Sequence, residues 1–221
     1  MNFAVNMIKP SYPVGGTLES IMKRQLNGEF DKAKQAQFTN PPPAPIIPSK
    51  TSKLTLLDIH PLEIARQLTL IETEIFRKIV PRECMGLAWS KKDAKDRAPN
   101  ILTMINRFNI VSNWIVSEIV RQETHKLRVD VLAHFIEIAV GCKSINNLNG
   151  CMEIISGLGD SAVHRLRNIW ADVSKKTVAN YNELKDILSS DSSYKSLRAY
   201  LRSCEMPCIP YLGSSLFLFF F

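Results

Sequence analysis

Leu127-Arg128-Val129-Asp130-Val131-Leu132-Ala133-His134-Phe135-Ile136-Glu137-Ile138-Ala139 sets Leu127, Val131, Phe135 and Ile138 on one side of a helix, and Val129, Leu132, Ile136 and Ala139 on another. Residues three and four apart share a helical face, so the two stripes make the helix apolar around much of its circumference. Such a helix needs neighbours over both stripes. It is therefore expected at the centre of an all-helical core.

The neighbours lie on either side in sequence. Upstream, Ile64, Leu68, Ile71, Ile75 and Ile79 recur at helical spacing, with Pro61 suited to a first turn and Pro81 closing the segment. A second helix begins near Pro99 and carries Ile101, Ile105, Phe108, Val111, Ile115 and Ile119 on one stripe. Downstream, Asn146–Leu158 holds Leu148, Met152, Ile155 and Leu158 before Gly157 and Gly159 break the pattern. Shorter amphipathic pieces follow at Val163–Trp170, Val178–Leu188 and Tyr194–Leu201. No alternation of period two is sustained, and Asn27-Gly28 and Asn149-Gly150 lie inside helix-like patterns rather than between strands. The expectation is an all-α fold, a compact bundle of about eight helices in non-parallel packing. No heptad is sustained, which excludes a coiled coil.

Composition bounds the function. The 221 residues are 45% hydrophobic, enough for one good-sized core. Of the formal charge of +7, residues 1–60 carry seven Lys/Arg against four Asp/Glu, so +3 belongs to them and +4 to the rest. No block of five like charges occurs, and the basic pairs Lys91-Lys92 and Lys175-Lys176 lie far apart. That is a solvated mixed-charge surface rather than a nucleic-acid footprint. Five scattered cysteines without a CxxC fit a reducing compartment and argue against disulfides or a zinc site. The N-terminus lacks a secretory signal, and the apolar run Leu216–Phe221 is far shorter than the ~20 residues of a membrane span. A cytoplasmic protein with no integral membrane segment is expected.

Residues 1–53 read as a disordered or partly helical leader, with a marginal helix over Thr17–Phe38 and a stiff linker at Pro41-Pro42-Pro43-Ala44-Pro45 and Pro48. Residues 54–213 form the helical domain, and 214–221 an apolar tail.

Catalytic chemistry is hard to place. His60, His125, His134 and His164 show no metal-ligand spacing, and His134, beside Phe135, reads as a satisfied core or groove histidine. The cysteines have apolar neighbours and read as packing residues. Gly157-Leu158-Gly159 lacks the context of a phosphate loop. No cofactor and no metal are expected. Ile105, Asn109 and Ser112 share a helical face. The pattern leaves two readings open, an amide capping a buried contact and a partly exposed groove with apolar floor and polar rim.

Three blocks carry a resemblance. They are Leu56-Leu57-Asp58-Ile59-His60-Pro61-Leu62-Glu63-Ile64-Ala65-Arg66-Gln67-Leu68-Thr69-Leu70-Ile71-Glu72 with Trp89-Ser90-Lys91-Lys92-Asp93; Ala98-Pro99-Asn100 through Asn106-Arg107-Phe108-Asn109-Ile110-Val111-Ser112-Asn113-Trp114; and Asn146-Asn147-Leu148-Asn149-Gly150 through Arg165-Leu166 to Pro207-Cys208-Ile209-Pro210-Tyr211-Leu212-Gly213. Together they resemble the catalytic domain of Ras-type guanine-nucleotide exchange factors, the group that includes Son of sevenless. The resemblance implies a partner, a Ras-like small GTPase of the Ras or Rap subfamily, whose nucleotide site the domain opens without covalent chemistry. It implies an apolar pocket lined by Ile105, Met152 and Tyr211, with Tyr194 nearby. It implies polar contacts from Asn106, Asn109 and the backbone at Gly159. Asn106 stands where some members have arginine, and Gly159 where some have asparagine, so those contacts differ here. Arg66, Trp89 and Arg165 match family positions and read as structural.

In the family, the chain beyond the Pro207–Gly213 block supplies a further pocket wall and a helical hairpin that pries the GTPase open. Ser214–Phe221 does not resemble it, so the expectation is an exchange domain stopped short of its hairpin, with impaired activity. The alternatives are a non-catalytic GTPase-binding module and an unproductive splice or gene-model product.

Overall fold

A computed structural model of the chain describes residues 43–49, 52–204 and 206–213. The expected helix over Thr17–Phe38 and the 214–221 tail lie outside the described residues. A single 3₁₀ turn, Leu56–Asp58, leads into α1 (Pro61–Phe76). There follow α2 (Pro81–Cys84), a kinked 3₁₀ stretch Met85–Ser90, α3 (Ala94–Arg97), α4 (Pro99–Val120), α5 (His125–Ser144) and α6 (Leu148–Gly159). The set closes with α7 (Ser161–His164), α8 (Arg167–Asp172), α9 (Lys175–Ile187) and α10 (Asp191–Ser203). The fold is all-α.

Among the described residues ten helices stand where about eight were expected. Three of the ten, α2, α3 and α7, are single turns, too short for a 3.6-residue period to show in sequence. The piece read as Val163–Trp170 is broken in the same way: α7 ends at His164 and α8 begins at Arg167.

Helix α5 occupies the centre. Val131, Leu132, Phe135, Ile136, Ile138, Ala139 and Cys142 are all buried in one cluster with residues of α1, α4, α6 and α9. Trp114 of α4 meets Phe135 edge-on at 5.2 Å, the geometry that aligns a ring's positive edge with its partner's negative face. A smaller cluster of Cys84, Ala88, Ala98, Ile101 and Met104 also takes Ile209 and Leu212 from the far end of the domain.

Two helix starts show what the sequence had to supply. Ala98 cannot cap α4, so Glu83 does it from α2, accepting from Asn100 N (2.8 Å) and Ile101 N (3.1 Å). A carboxylate at that position also faces the positive end of the helix dipole. Asn147 caps α6 by accepting from Gly150 N at 2.9 Å and donates to Thr69 Oγ1 of α1 at 2.9 Å.

Gly157 does not break α6. It lies inside the helix where α6 crosses α4, and a Cβ there would stand 2.9 Å from the Ser112 carbonyl oxygen and 3.0 Å from Ile115 Cβ. Close approach of two backbones, rather than helix propensity, places this glycine. Part of the proline-rich leader is also tied down: Arg66 donates to the Ala44 carbonyl and Ile46 N donates to Glu63, both at 3.2 Å. Arg66 is structural, as expected, since it also pairs with Glu63 at 3.1 Å.

Candidate GTPase-binding face

Helix α4 presents Ile105, Phe108 and Asn109 on one side, because three- and four-residue steps return to the same face. Ile105 is 37% exposed, and Asn106 and Asn109 are exposed beside it. Phe108 turns toward the Pro207–Gly213 segment and stacks on Tyr211, ring centroids 5.6 Å apart. Tyr211 in turn meets Tyr194, the first-turn tyrosine of α10, at 5.7 Å. The three rings form a row, with Tyr211 in the middle.

Backbone pairing fixes that row. Ile209 N donates to the Asn146 carbonyl at 2.9 Å, and the Ile209 carbonyl accepts from Leu148 N (2.9 Å) and Asn149 N (3.3 Å). Among the described residues this is the only β-type bridge, and it ties the segment to the start of α6. Gly213 is required next door: a Cβ on it would lie 2.5 Å from the Tyr211 ring. Burial pushes the Tyr211 phenol up to about 12, helped by Tyr194 beside it, so the ring stays neutral.

The structure therefore joins Tyr194 and Tyr211 directly, and Ile105, Asn106 and Asn109 through Phe108, which the sequence reading had not singled out. Its spacing three residues after Ile105 was the available signal. Met152 is buried in the main core, 8% exposed, rather than open to solvent. Gly159 is exposed at the end of α6 with open space around it. Of the two readings left open for Ile105, Asn109 and Ser112, each applies to part of the stripe. Ser112 donates to the Glu153 carbonyl at 2.9 Å inside the α4–α6 crossing, whereas Ile105 and Asn109 stay open to solvent. The two best-formed cavities, about 390 and 340 Å³, lie elsewhere. A face of this kind suits a protein surface better than an enclosed small molecule.

Below the face lies a buried polar cluster, also missed from sequence. Asn149 donates to Glu72 at 3.2 Å and to Glu153 at 3.0 Å, linking α1 to α6. Burial raises both carboxyls, and each raises or bonds the other. Glu153 is pushed up to about 9, so the cluster holds a proton at neutral pH. The clue was Glu153 itself, a carboxylate between Met152 and Ile154 in the apolar stripe from Leu148 to Leu158.

His134 bonds to backbone of the Leu56–Ile59 turn, and burial holds its imidazole below the usual range, as befits a neutral packing histidine. Cys204 and Cys208 hydrogen-bond to each other, which lowers the Cys204 thiol to about 7.

The RasGEF domain family matches residues 63–219 of this sequence. The chain belongs to the RasGEF domain family. This RasGEF domain is 47% identical over 181 residues to Ras guanine nucleotide exchange factor E of Dictyostelium discoideum, covering 80% of this chain and 18% of that protein. Exchange factor P of the same organism is 45% identical over 197 residues, 89% of this chain and 13% of the relative. Exchange factor M is 37% identical over 200 residues, 90% of this chain and 22% of the relative. The chain thus spans less than a quarter of each of these relatives' length. No helix of the described residues is long and apolar enough to cross a membrane.

Proposed function

We propose that this domain promotes GDP release and GTP loading on a Ras-like small GTPase of the Ras or Rap subfamily, in the cytoplasm. The observation that carries the reading is the Phe108–Tyr211–Tyr194 row flanked by exposed Ile105, Asn106 and Asn109, in a chain of this family. The row offers an apolar seat for a side chain of the partner, Ile105 extends it, and the two asparagines supply hydrogen bonds at its rim. The Gly159 backbone forms another part of that rim, and Met152 closes the floor from beneath.

Exchange needs no covalent step. A factor that binds the nucleotide-free GTPase more tightly than the loaded one must lower the affinity for nucleotide by the same ratio, since coupling between two ligands is reciprocal. The face described here supplies binding energy for such a complex.

Two measurements test this. Capture of nucleotide-free Ras and Rap proteins on the immobilised chain should be saturable, and Ile105→Ala should weaken it about tenfold, the effect of losing a central apolar anchor. Release of a fluorescent nucleotide then reports exchange. Unaltered capture by Ile105→Ala with the fold intact would sink the assignment of this face.

A further inference from the structure

A second cleft, of about 340 Å³, opens at the far end of α4 from this face, between the start of α5 and the α7–α8 turn. His125, Arg128, Arg165, Leu166, Arg167, Asn168 and Ile169 line it. Three arginines line this one small space, and no acidic residue is among its lining. Among the described residues, carboxylates pair with Arg66, Arg97, Arg121 and Lys143, all outside the cleft. His125 is the lining residue that has such a partner, Asp172 at 2.6 Å. Arg128 has a buried Nε without any hydrogen-bond partner. Arg165, read from sequence as structural, is exposed on the cleft wall.

Like charges gathered without counter-charges repel one another, and a buried N–H without an acceptor costs free energy. Both penalties are relieved by one kind of occupant, an anion with several oxygens. A carboxylate satisfies a single guanidinium fork, whereas phosphate groups present three oxygens each and bridge several forks. Arg128 comes from the first turn of α5, a helix of 20 residues whose N-terminal dipole adds to the same field.

We propose that this cleft binds a compact anion carrying two or more phosphate monoesters, of the inositol-polyphosphate type, either free or as a lipid headgroup. The pairs Lys91-Lys92 and Lys175-Lys176 are not among its lining, and no block of five like charges continues from it as a track for a nucleic-acid backbone. Leu166 and Ile169 are its only apolar lining, which leaves little to seat the flanking residues of a peptide.

The test uses the 221-residue chain in calorimetric titration against inositol hexakisphosphate and against inorganic phosphate, at one fixed ionic strength. Saturable binding of the inositol polyphosphate is expected, with Arg165→Gln/Arg167→Gln weakening it at least about tenfold. The charge-matched control Lys91→Gln/Lys92→Gln should leave it unchanged. Asn168→Asp, which places a carboxylate in the cleft without removing an arginine, should weaken it as well, and thermal midpoints confirm that each variant folds. Vesicles bearing a bisphosphorylated phosphoinositide, compared with phosphatidylserine vesicles of equal charge, distinguish headgroup from free ligand. The proposal is overturned by equal losses in the arginine and lysine variants, by binding no tighter than inorganic phosphate, or by binding of a phosphoserine peptide in place of the inositol compound.

Discussion

The two walls of the candidate face are held by different means. The wall on α4 and α6 rests on the main core: Val111, Ile115, Ile154 and Leu158 are buried there, and the helices touch backbone to side chain at Gly157. The wall of Tyr194 and Tyr211 is held by one backbone bridge at Ile209, the small cluster that buries Ile209 and Leu212, a ring packed over Gly213, and three consecutive left-handed residues, Ser192, Ser193 and Tyr194. The first is set by the main core, which spreads a perturbation over many neighbours. The second combines a smaller apolar cluster with a few polar and conformational contacts, so single changes should loosen it without unfolding the domain.

The largest expected effect strikes the first wall. Gly157→Val forces a branched side chain against the Ser112 carbonyl and Ile115 and should cost about 3 kcal/mol, read as a lower urea midpoint. A midpoint within error of the parent would show that the crossing is looser than described. Next, Asn147→Ala removes the α6 cap and the Thr69 bond, leaving Gly150 N unpartnered, at a cost of about 2 kcal/mol. Its signature should be local, with faster hydrogen exchange over residues 206–212 than over α5. Uniform acceleration would erase the distinction between the walls.

The buried acid pair gives a pH dependence of the first wall. Glu153 has a folded pKa of about 9 against an ordinary 4.5, so the folded state keeps a proton that the unfolded chain gives up. Its contribution is complete below about pH 4.5 and is lost as pH rises toward 9. Stability should fall by about 1.4 kcal/mol between pH 6 and 7, and Glu153→Gln should flatten that slope. A parent chain equally stable at both values would refute the shared proton. The smallest effect belongs to the second wall: Ser193→Gly relieves a left-handed residue and should raise stability by about 0.5–1 kcal/mol, seen as a higher thermal midpoint.

What was legible in sequence follows the same division. The long helices announced themselves because α1, α4, α5 and α6 each repeat an apolar stripe over three turns or more, and the central place of α5 followed from its two stripes. Gly157 was misread as a breaker because local propensity says nothing about a backbone meeting another helix. Glu72 and Glu153 escaped because a carboxylate in a helical pattern reads as a solvated position until its neighbours are known. Residues of the candidate face were named through family resemblance. Periodicity alone could not join Tyr194 and Tyr211 to α4, since no local pattern records a contact between distant segments.

The Ile209 bridge also sets an order of assembly. It joins points about sixty residues apart, and closing so long a loop is slow compared with forming helices from neighbouring residues. A ribosome delivers α1 to α6, and with them the core of the first wall, well before the Pro207–Gly213 segment emerges. The domain is therefore compact during synthesis while its aromatic row is still unmade, and the row is completed only when that segment docks.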